Sequence, residues 1–549
     1  MDILIDKPAW KNLKLHRDSL TQSHMRDLFA ADKKRFEKFS TRFETLFIDY
    51  SKNLITTEIL ASLLELAKQC DVHEFLQDMI SGRKINFTED RAVLHTALRS
   101  NINATVFTDK SNFQIKIKAE LSRIQLFSEK IRNGDTAEFS NKRITDVVCL
   151  GIGGSHLGPE LVVHALRSFN KKRLNLHFIA NLDGLEVQEK LASLKPEKTL
   201  VIIISKSFKT TETLSNARLF DEWLNISLGV KQTKKQLIAI TANKKSAIEF
   251  GVSTKNIFSI WEWVGGRFSL WSAVGLPIAI ALGYETFEDL LHGAQEMDQH
   301  LLTSPPNKNL PLILALISIW NVNFLGIPTH SIIPYDARLK WLPRFLQQLE
   351  MESNGKNINF LGKPVSYQTA PVIFGQVGTE AQHSFFQLLH QGTQPLSCDF
   401  LIAVEGPIKK DIHYESVVAN AFAQSEALMS GVTEKNAKAE LLKKRISKTT
   451  LTKLLPHKVL DGNKPSNTLI YRHLNPATLG MLLALYEHKV AIQGKIWQIN
   501  SFDQWGVEYG KQLANTIKNA LVDPNPGETL NPSTANLVSV FQKMRKEPH

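Results

Sequence analysis

Residues 146–155 read DVVCLGIGGS, an apolar run from Val147 to Leu150 that stops at Gly151 and turns through Gly153, Gly154 and Ser155. Four more runs follow, LHFIAN from Leu176, TLVIIIS from Thr199, QLIAIT from Gln236 and NIFSI from Asn256, with helix-length stretches between them. Short, continuous apolar runs of this kind are what strands buried on both faces look like, so the stretch predicts a doubly wound parallel sheet. After an apolar helical link from about Tyr284 to Phe324, the pattern returns as HSIIPYD, APVIFG and CDFLIAV, predicting a second α/β unit. The first hundred residues carry helical spacing instead, as at Ile59, Leu63, Leu64 and Ala67, with almost no alternation. They read as a helical cap. The tail after Pro524, DPNPGETLNPSTANL, is less periodic and reads as an arm on the body or on a partner.

Length and composition agree with this organisation. A chain of 549 residues exceeds what one hydrophobic core usually fills, roughly 250–300 residues. With 43% hydrophobic and 22% charged residues it has the make-up of a globular protein. The cysteines Cys70, Cys149 and Cys398 are too few and too scattered for a disulfide framework or a zinc site. The first residues lack a signal-peptide layout, and the most apolar stretch, Leu310 to Trp320, is too short to span a bilayer. The expectation is a cytoplasmic enzyme that engages neither membrane nor nucleic acid. The net charge of +12 is spread over small clusters such as Lys171-Lys172-Arg173 and Lys443-Lys444-Arg445, a solvated surface that also attracts small anions.

Open α/β sheets bind ligands outside the carboxyl ends of their strands, so the loops there carry the chemistry. Gly151 to Pro159 is a turn poor in side chains that lets backbone N–H groups approach an anion, or is simply a tight turn. A dinucleotide fingerprint fails on spacing, because its third glycine falls on His156. The strand TLVIIIS ends in Ser205-Lys206-Ser207-Phe208-Lys209-Thr210-Thr211, hydroxyls and cations opening a helix, which suits a phosphate dianion better than simple N-capping. No Walker sequence and no H-E-x-x-H occurs. In Glu262-Trp263-Val264-Gly265-Gly266-Arg267, the arginine among apolar neighbours needs an anion, either a structural carboxylate or a charge that develops during reaction. Gln348 and Glu352 share a helix ending in Ser353-Asn354-Gly355-Lys356, with Gly355 suited to a left-handed cap. His383 reads as part of a helix opening after Gly378-Thr379, and Lys511 lies in FDQWGVEYGK beside Gln504; singly, each is more often structural than catalytic.

Together these segments resemble the glucose-6-phosphate isomerase family. EWVGGRFS with LWSAVG, and FDQWGVEYGK, look like its two signatures; LGIGGSHLGP, SKSFKTTET, MESNGK and GTEAQHSFFQLLHQG look like its other active-site loops, in family order over about residues 145 to 515. The resemblance implies two sugar-isomerase domains, a homodimer, no metal and no organic cofactor. It implies a helical segment over 1–115 packed on the larger domain, a smaller domain over 116–284, a larger one over 285–515 and an arm over 516–549. The activity implied is interconversion of glucose 6-phosphate and fructose 6-phosphate, in glycolysis and gluconeogenesis. Carried over, Gly154 and Ser155 line the sugar-phosphate site, Ser205, Lys206, Ser207 and Thr210 hold phosphate, and Gln348 and Gln504 contact substrate. Glu352 is the base, Arg267 the enediolate stabiliser, and His383 and Lys511 the ring-opening groups, with His383 supplied by the neighbouring subunit. Lys209 and Ser207 depart from the threonines usual in that phosphate loop. Rival readings are an isomerase or aminotransferring relative for another phosphosugar, and a non-enzymatic sugar-phosphate regulator.

Overall fold

The computed structural model describes residues 3–20, 22–100, 113–135, 142–172, 174–406, 408, 412–522 and 530–547. Arg173 of one basic cluster, residues 101–112 of the amino-terminal segment and residues 523–529 of the tail lie outside the described residues. The chain divides into two compact units, Met1–Ser501 and Phe502–His549.

The first unit holds two sheets, built from β1 (Ser40–Phe43), β2 (Leu46–Asp49), β3 (Asp146–Leu150), β4 (Asn175–Ile179), β5 (Thr199–Ile204), β6 (Leu237–Thr241), β7 (Ile257–Ser259), β8 (Thr329–Pro334), β9 (Val372–Gly375), β10 (Ser397–Ala403) and β11 (Ser466–Tyr471). One sheet is wholly parallel in the order β4-β3-β5-β6-β7. Its central strand β5 is buried at every position, which is why TLVIII carries no polar alternation. The order reverses between β3 and β5, so the chain leaves these neighbours toward opposite faces and a crevice opens beyond their carboxyl ends. The loops at that crevice are Gly151–Ser155 and Ser205–Thr210.

The other sheet runs β1-β2-β11-β10-β8-β9. Strands β8 to β11 are parallel and reverse order between β8 and β10, whereas β1 and β2 form an antiparallel hairpin that adds to β11. This corrects the wholly helical reading of the first hundred residues. The hairpin strands are only four residues long and Arg42 faces solvent, so they carry too little apolar alternation to register as strands. The strand β11, SNTLIY, also escaped the reading by apolar runs, since half of it is polar.

The helices Tyr284–Thr303 and Pro476–Ile496 pack on each other and cross at backbone distance. A Cβ on Gly293 would lie 1.9 Å from the Ala477 carbonyl oxygen, and one on Gly480 would lie 2.1 Å from that of Leu290. Only glycine permits that approach, and it buries Pro476–Ile496 over nearly its whole length. Among the described residues no helix is long and apolar enough to cross a membrane.

The second unit, considered alone, contains the short turn Trp505–Val507 and helices Glu508–Val522 and Pro532–Lys546, the two helices joined by hydrogen bonds from Gln542 Nε2 to the carbonyls of Ala520 and Leu521. The described part of the tail is thus helical, its start capped by the Asn531 side chain with Pro532 in the first turn.

Candidate active site

The loop after β3 is pressed against the arginine-bearing turn. Gly153 has φ +59°, and a Cβ on Gly154 would stand 2.0 Å from the Gly266 carbonyl oxygen and 2.7 Å from the Arg267 nitrogen. The glycines therefore serve close packing of this loop on the peptide that carries Arg267. On the other side, a Cβ on Gly153 would meet Gln348 Nε2 at 2.9 Å. Ser155 is half-buried beside them.

Arg267 opens the tight helical segment Gly266–Trp271 and is buried. Its Nε donates to Ser353 Oγ at 2.7 Å and its Nη2 to the Ser501 carbonyl oxygen. Its Nη1 lies 3.7 Å from Glu352 Oε2. Neutral oxygens therefore fix the guanidinium, and of the two partners posed for this cation a carboxylate, Glu352, is the one at hand. Gln348 Nε2 donates to the same Glu352 Oε2 at 2.9 Å. Glu352 is about a quarter exposed, so it meets the crevice as well as the cation.

Gln348–Glu352 is a π-helical turn, a wider winding that often marks functional positions. It ends differently from the sequence expectation. Gly355 is not left-handed, because φ is not positive there. Its amide donates to Met351 O at 2.9 Å, and a Cβ would lie 2.5 Å from that oxygen. The turn is closed instead by Lys356, whose Nζ donates to the carbonyl oxygens of Glu352, Ser353 and Asn500 at 3.1, 2.8 and 2.9 Å. Ser353 and Lys356 lie in the segment MESNGK, but nothing in the sequence assigns them these roles.

In the loop after β5, Ser205 is buried and its Oγ lies 3.2 Å from Thr210 Oγ1. Thr210 precedes helix Thr211–Leu228 in extended conformation, yet its side chain makes no capping hydrogen bond to that helix. The simple capping alternative thus fails, and the first-turn N–H groups remain available to an anion. Phe208 is buried at φ +51°, an unfavourable backbone state that its place in the core enforces. Lys206 Nζ donates to the carbonyls of Glu262 and Val264 at 2.8 and 2.9 Å, which ties this loop to the stretch leading into Arg267. Burial holds its ammonium below the usual lysine range, against the opposing pull of Glu262. Ser207 is exposed and accepts from the Lys209 amide at 3.2 Å.

Among the described residues, His383 is not joined to this group. His383 is exposed, sits just past helix Gly378–Gln382 rather than within it, and makes no side-chain hydrogen bond or ion pair among the described residues. Gln504 and Lys511 belong to the second unit, where Lys511 Nζ lies 2.9 Å from Glu508 Oε1. Among the described residues, no three His, Cys, Asp or Glu side chains converge as metal ligands.

A carboxylate set against a buried guanidinium, beside an uncapped helix start at a sheet switch point, is equipped to move a proton on an anionic substrate while stabilising negative charge. A model of the phosphoglucose isomerase family matches residues 49–538. The chain is 46% identical over 544 residues to glucose-6-phosphate isomerase 1 of Chromobacterium violaceum, covering 99% of this chain and 100% of that one. It is 45% identical to the glucose-6-phosphate isomerase of Chlorobium luteolum, covering 98% of each. The crystal structure of a glucose-6-phosphate isomerase from Chlamydia trachomatis superposes with TM-score 0.86 at 31% identity, covering 98% of this chain and 99% of that one. The chain belongs to the phosphoglucose isomerase family.

The Gly154 contact yields a direct test. Gly154→Ala places a methyl group 2.0 Å from the Gly266 oxygen and must push the loop from Arg267. The expected outcome is folded protein whose isomerase kcat/KM falls about 10²-fold. Gly184→Ala, which meets nothing within 4 Å, serves as the unaffected control in the same assay.

Proposed function

We propose that the protein is an aldose–ketose isomerase that interconverts glucose 6-phosphate and fructose 6-phosphate through an open-chain sugar and an enediolate. The observation that carries this reading is the Glu352–Arg267 pair at 3.7 Å beside the two switch-point loops. The substrate phosphate docks on Ser205, Lys206, Ser207 and Thr210 and on the free N–H groups of the helix that follows. Gly154, Ser155, Gln348 and Gln504 meet the sugar.

Only the open chain has a carbonyl to acidify its neighbouring carbon. His383 and Lys511 therefore move a proton between the ring oxygen and the anomeric hydroxyl. From the aldose, Glu352 takes the proton from C2 and returns it to C1; from the ketose it runs in reverse. A carboxylate is a weak base for a carbon acid, so the enediolate needs help where its charge appears. Arg267, buried and already held by Ser353 and Ser501, supplies a fixed positive charge with little reorganisation. Acid–base transfer contributes about 10²–10⁴-fold, which leaves much of the acceleration to phosphate anchoring.

Residues 116–284 and 285–515 act as two sugar-isomerase domains, with 1–115 packed on the larger and 516–549 as an arm. The working form is a cytoplasmic homodimer in which His383 completes the partner's site. Its exposure, and its having no side-chain hydrogen bond or ion pair among the described residues, support that role.

Proton NMR of fructose 6-phosphate in deuterated water with the purified protein tests the reaction. Glucose 6-phosphate with deuterium at C2 is expected. Glu352→Gln is expected to bind substrate but to lose turnover; near-normal turnover in that variant would refute the base assignment. The dimer is tested by refolding a mixture of Glu352→Gln and His383→Leu chains, each inactive alone. A mixed dimer then holds one site with both residues intact and activity returns. If His383 serves its own chain, the mixture stays inactive.

A further inference from the structure

Helix Pro476–Ile496 has one run of polar side chains, Tyr486-Glu487-His488-Lys489, and all four are buried. Consecutive helical residues point about 100° apart, so the four reach different parts of the fold. Tyr486 Oη donates to Asp399 Oδ2 on β10 at 2.9 Å, and Glu487 Oε1 accepts from Trp271 Nε1 at 2.8 Å. His488 Nε2 lies 2.6 Å from Asp298 Oδ1, and Lys489 Nζ donates to Glu350 Oε2 at 2.7 Å.

Glu350 is the middle residue of the π-helical turn that presents Gln348 and Glu352. Gln348 and Glu352 are hydrogen-bonded to each other and lie on the face toward Arg267, while Glu350 points inward to Lys489. Both members of the inward pair are almost completely buried, and Glu350 Oε1 has no hydrogen-bond partner among the described residues. A buried ion pair with an unsatisfied oxygen is a poor source of stability, because desolvating two charges offsets their attraction and apolar side chains would serve as well. What such a pair supplies is direction, since an ammonium has to meet a carboxylate at one distance, whereas apolar surfaces slide.

We propose that Lys489 is a positioning residue for proton transfer: its bond to Glu350 fixes the rotation of the Gln348–Glu352 turn and thereby aims the Glu352 carboxylate between Arg267 and the substrate carbon. The inference rests on the reading of Glu352 as the base. Asn354, whose Nδ2 donates to the Val490 carbonyl at 3.0 Å, holds the chain after the turn to the same helix, so losing Lys489 frees the rotation of the turn without detaching it.

The test is steady-state kinetics on Lys489→Met, Glu350→Gln, the double variant and Lys489→Arg, with affinity for 6-phosphogluconate, a phosphosugar acid with no carbonyl to isomerise, measured in parallel. The expected result is a kcat lowered about tenfold or more in Lys489→Met and Glu350→Gln, with KM and 6-phosphogluconate affinity within about twofold of the parent. Lys489→Arg restores much of kcat, and the double variant is no worse than the poorer single one, because the two residues act as a unit. Should Lys489→Met fail to fold, Glu350→Gln, which keeps the side chain's shape but removes the charge that directs Lys489, carries the test alone. Folded variants with unchanged kcat, or a loss that only tracks the folded fraction, overturn the proposal. Glu352→Gln in the same series separates the two readings. If it keeps turnover, the base assignment fails; if it is dead while Lys489→Met and Glu350→Gln keep their kcat, only the positioning role fails.

Discussion

A helix buried on every side must find partners for its polar side chains within the protein, and in Pro476–Ile496 that requirement organises the first unit. Glu487 meets both Trp271 and Arg99, whose guanidinium also pairs with Asp298 and lies 4.4 Å over the Trp271 ring. Burial works against all these charges. Arg99 is nonetheless held above its ordinary value by Asp298 and Glu487, and Asp298 below its own by Arg99, while burial prevails at Glu487 and raises it. Trp271 closes the segment that begins with Gly266 and Arg267, so this charge cluster anchors the arm bearing the guanidinium. One turn of one helix thus governs both the cation at Glu487 and the turn carrying Glu352 at Lys489.

The parallel sheet supplies the other half of the geometry. Reversal of strand order between β3 and β5 leaves two loops at the mouth of one crevice, one made of glycines and one of hydroxyls. Lys206 reaches from the second loop to the backbone just before Gly265 and Gly266, and Gly154 packs on Gly266 from the first. Anchor and guanidinium are therefore coupled through backbone contacts as well as by their shared sheet. Under the proposed docking of phosphate on the hydroxyl loop, a rigid coupling of this kind lets binding energy there orient the proposed reacting end.

Much of this was legible in the chain because parallel strands buried on both faces write themselves as apolar runs, and loops at their ends begin where the runs stop. DVVCL and TLVIII read as strands for that reason and are β3 and β5, while the resemblance of six loop segments to one family names the residues proposed for the site. The hairpin β1–β2 was not legible, since its stability comes from pairing with β11 more than four hundred residues later rather than from its own pattern. Gly355 misled because a glycine after a helix suggests a left-handed cap, whereas here it makes room for the Met351 carbonyl and Lys356 does the capping. Lys489 and Glu350 stand 139 residues apart, and no local period announces a pair of that kind. Long-range polar pairing is the part of a fold that sequence patterns carry least.

The most direct measurement is a crystal structure of this chain with a five-carbon sugar-acid phosphate, whose planar carboxylate imitates the enediolate end of the substrate. The account predicts the phosphate on the Ser205–Thr210 loop and the carboxylate within about 3.5 Å of both Glu352 and the Arg267 guanidinium. A phosphate seated elsewhere, or an inhibitor whose reacting end stays out of reach of Glu352, would contradict it.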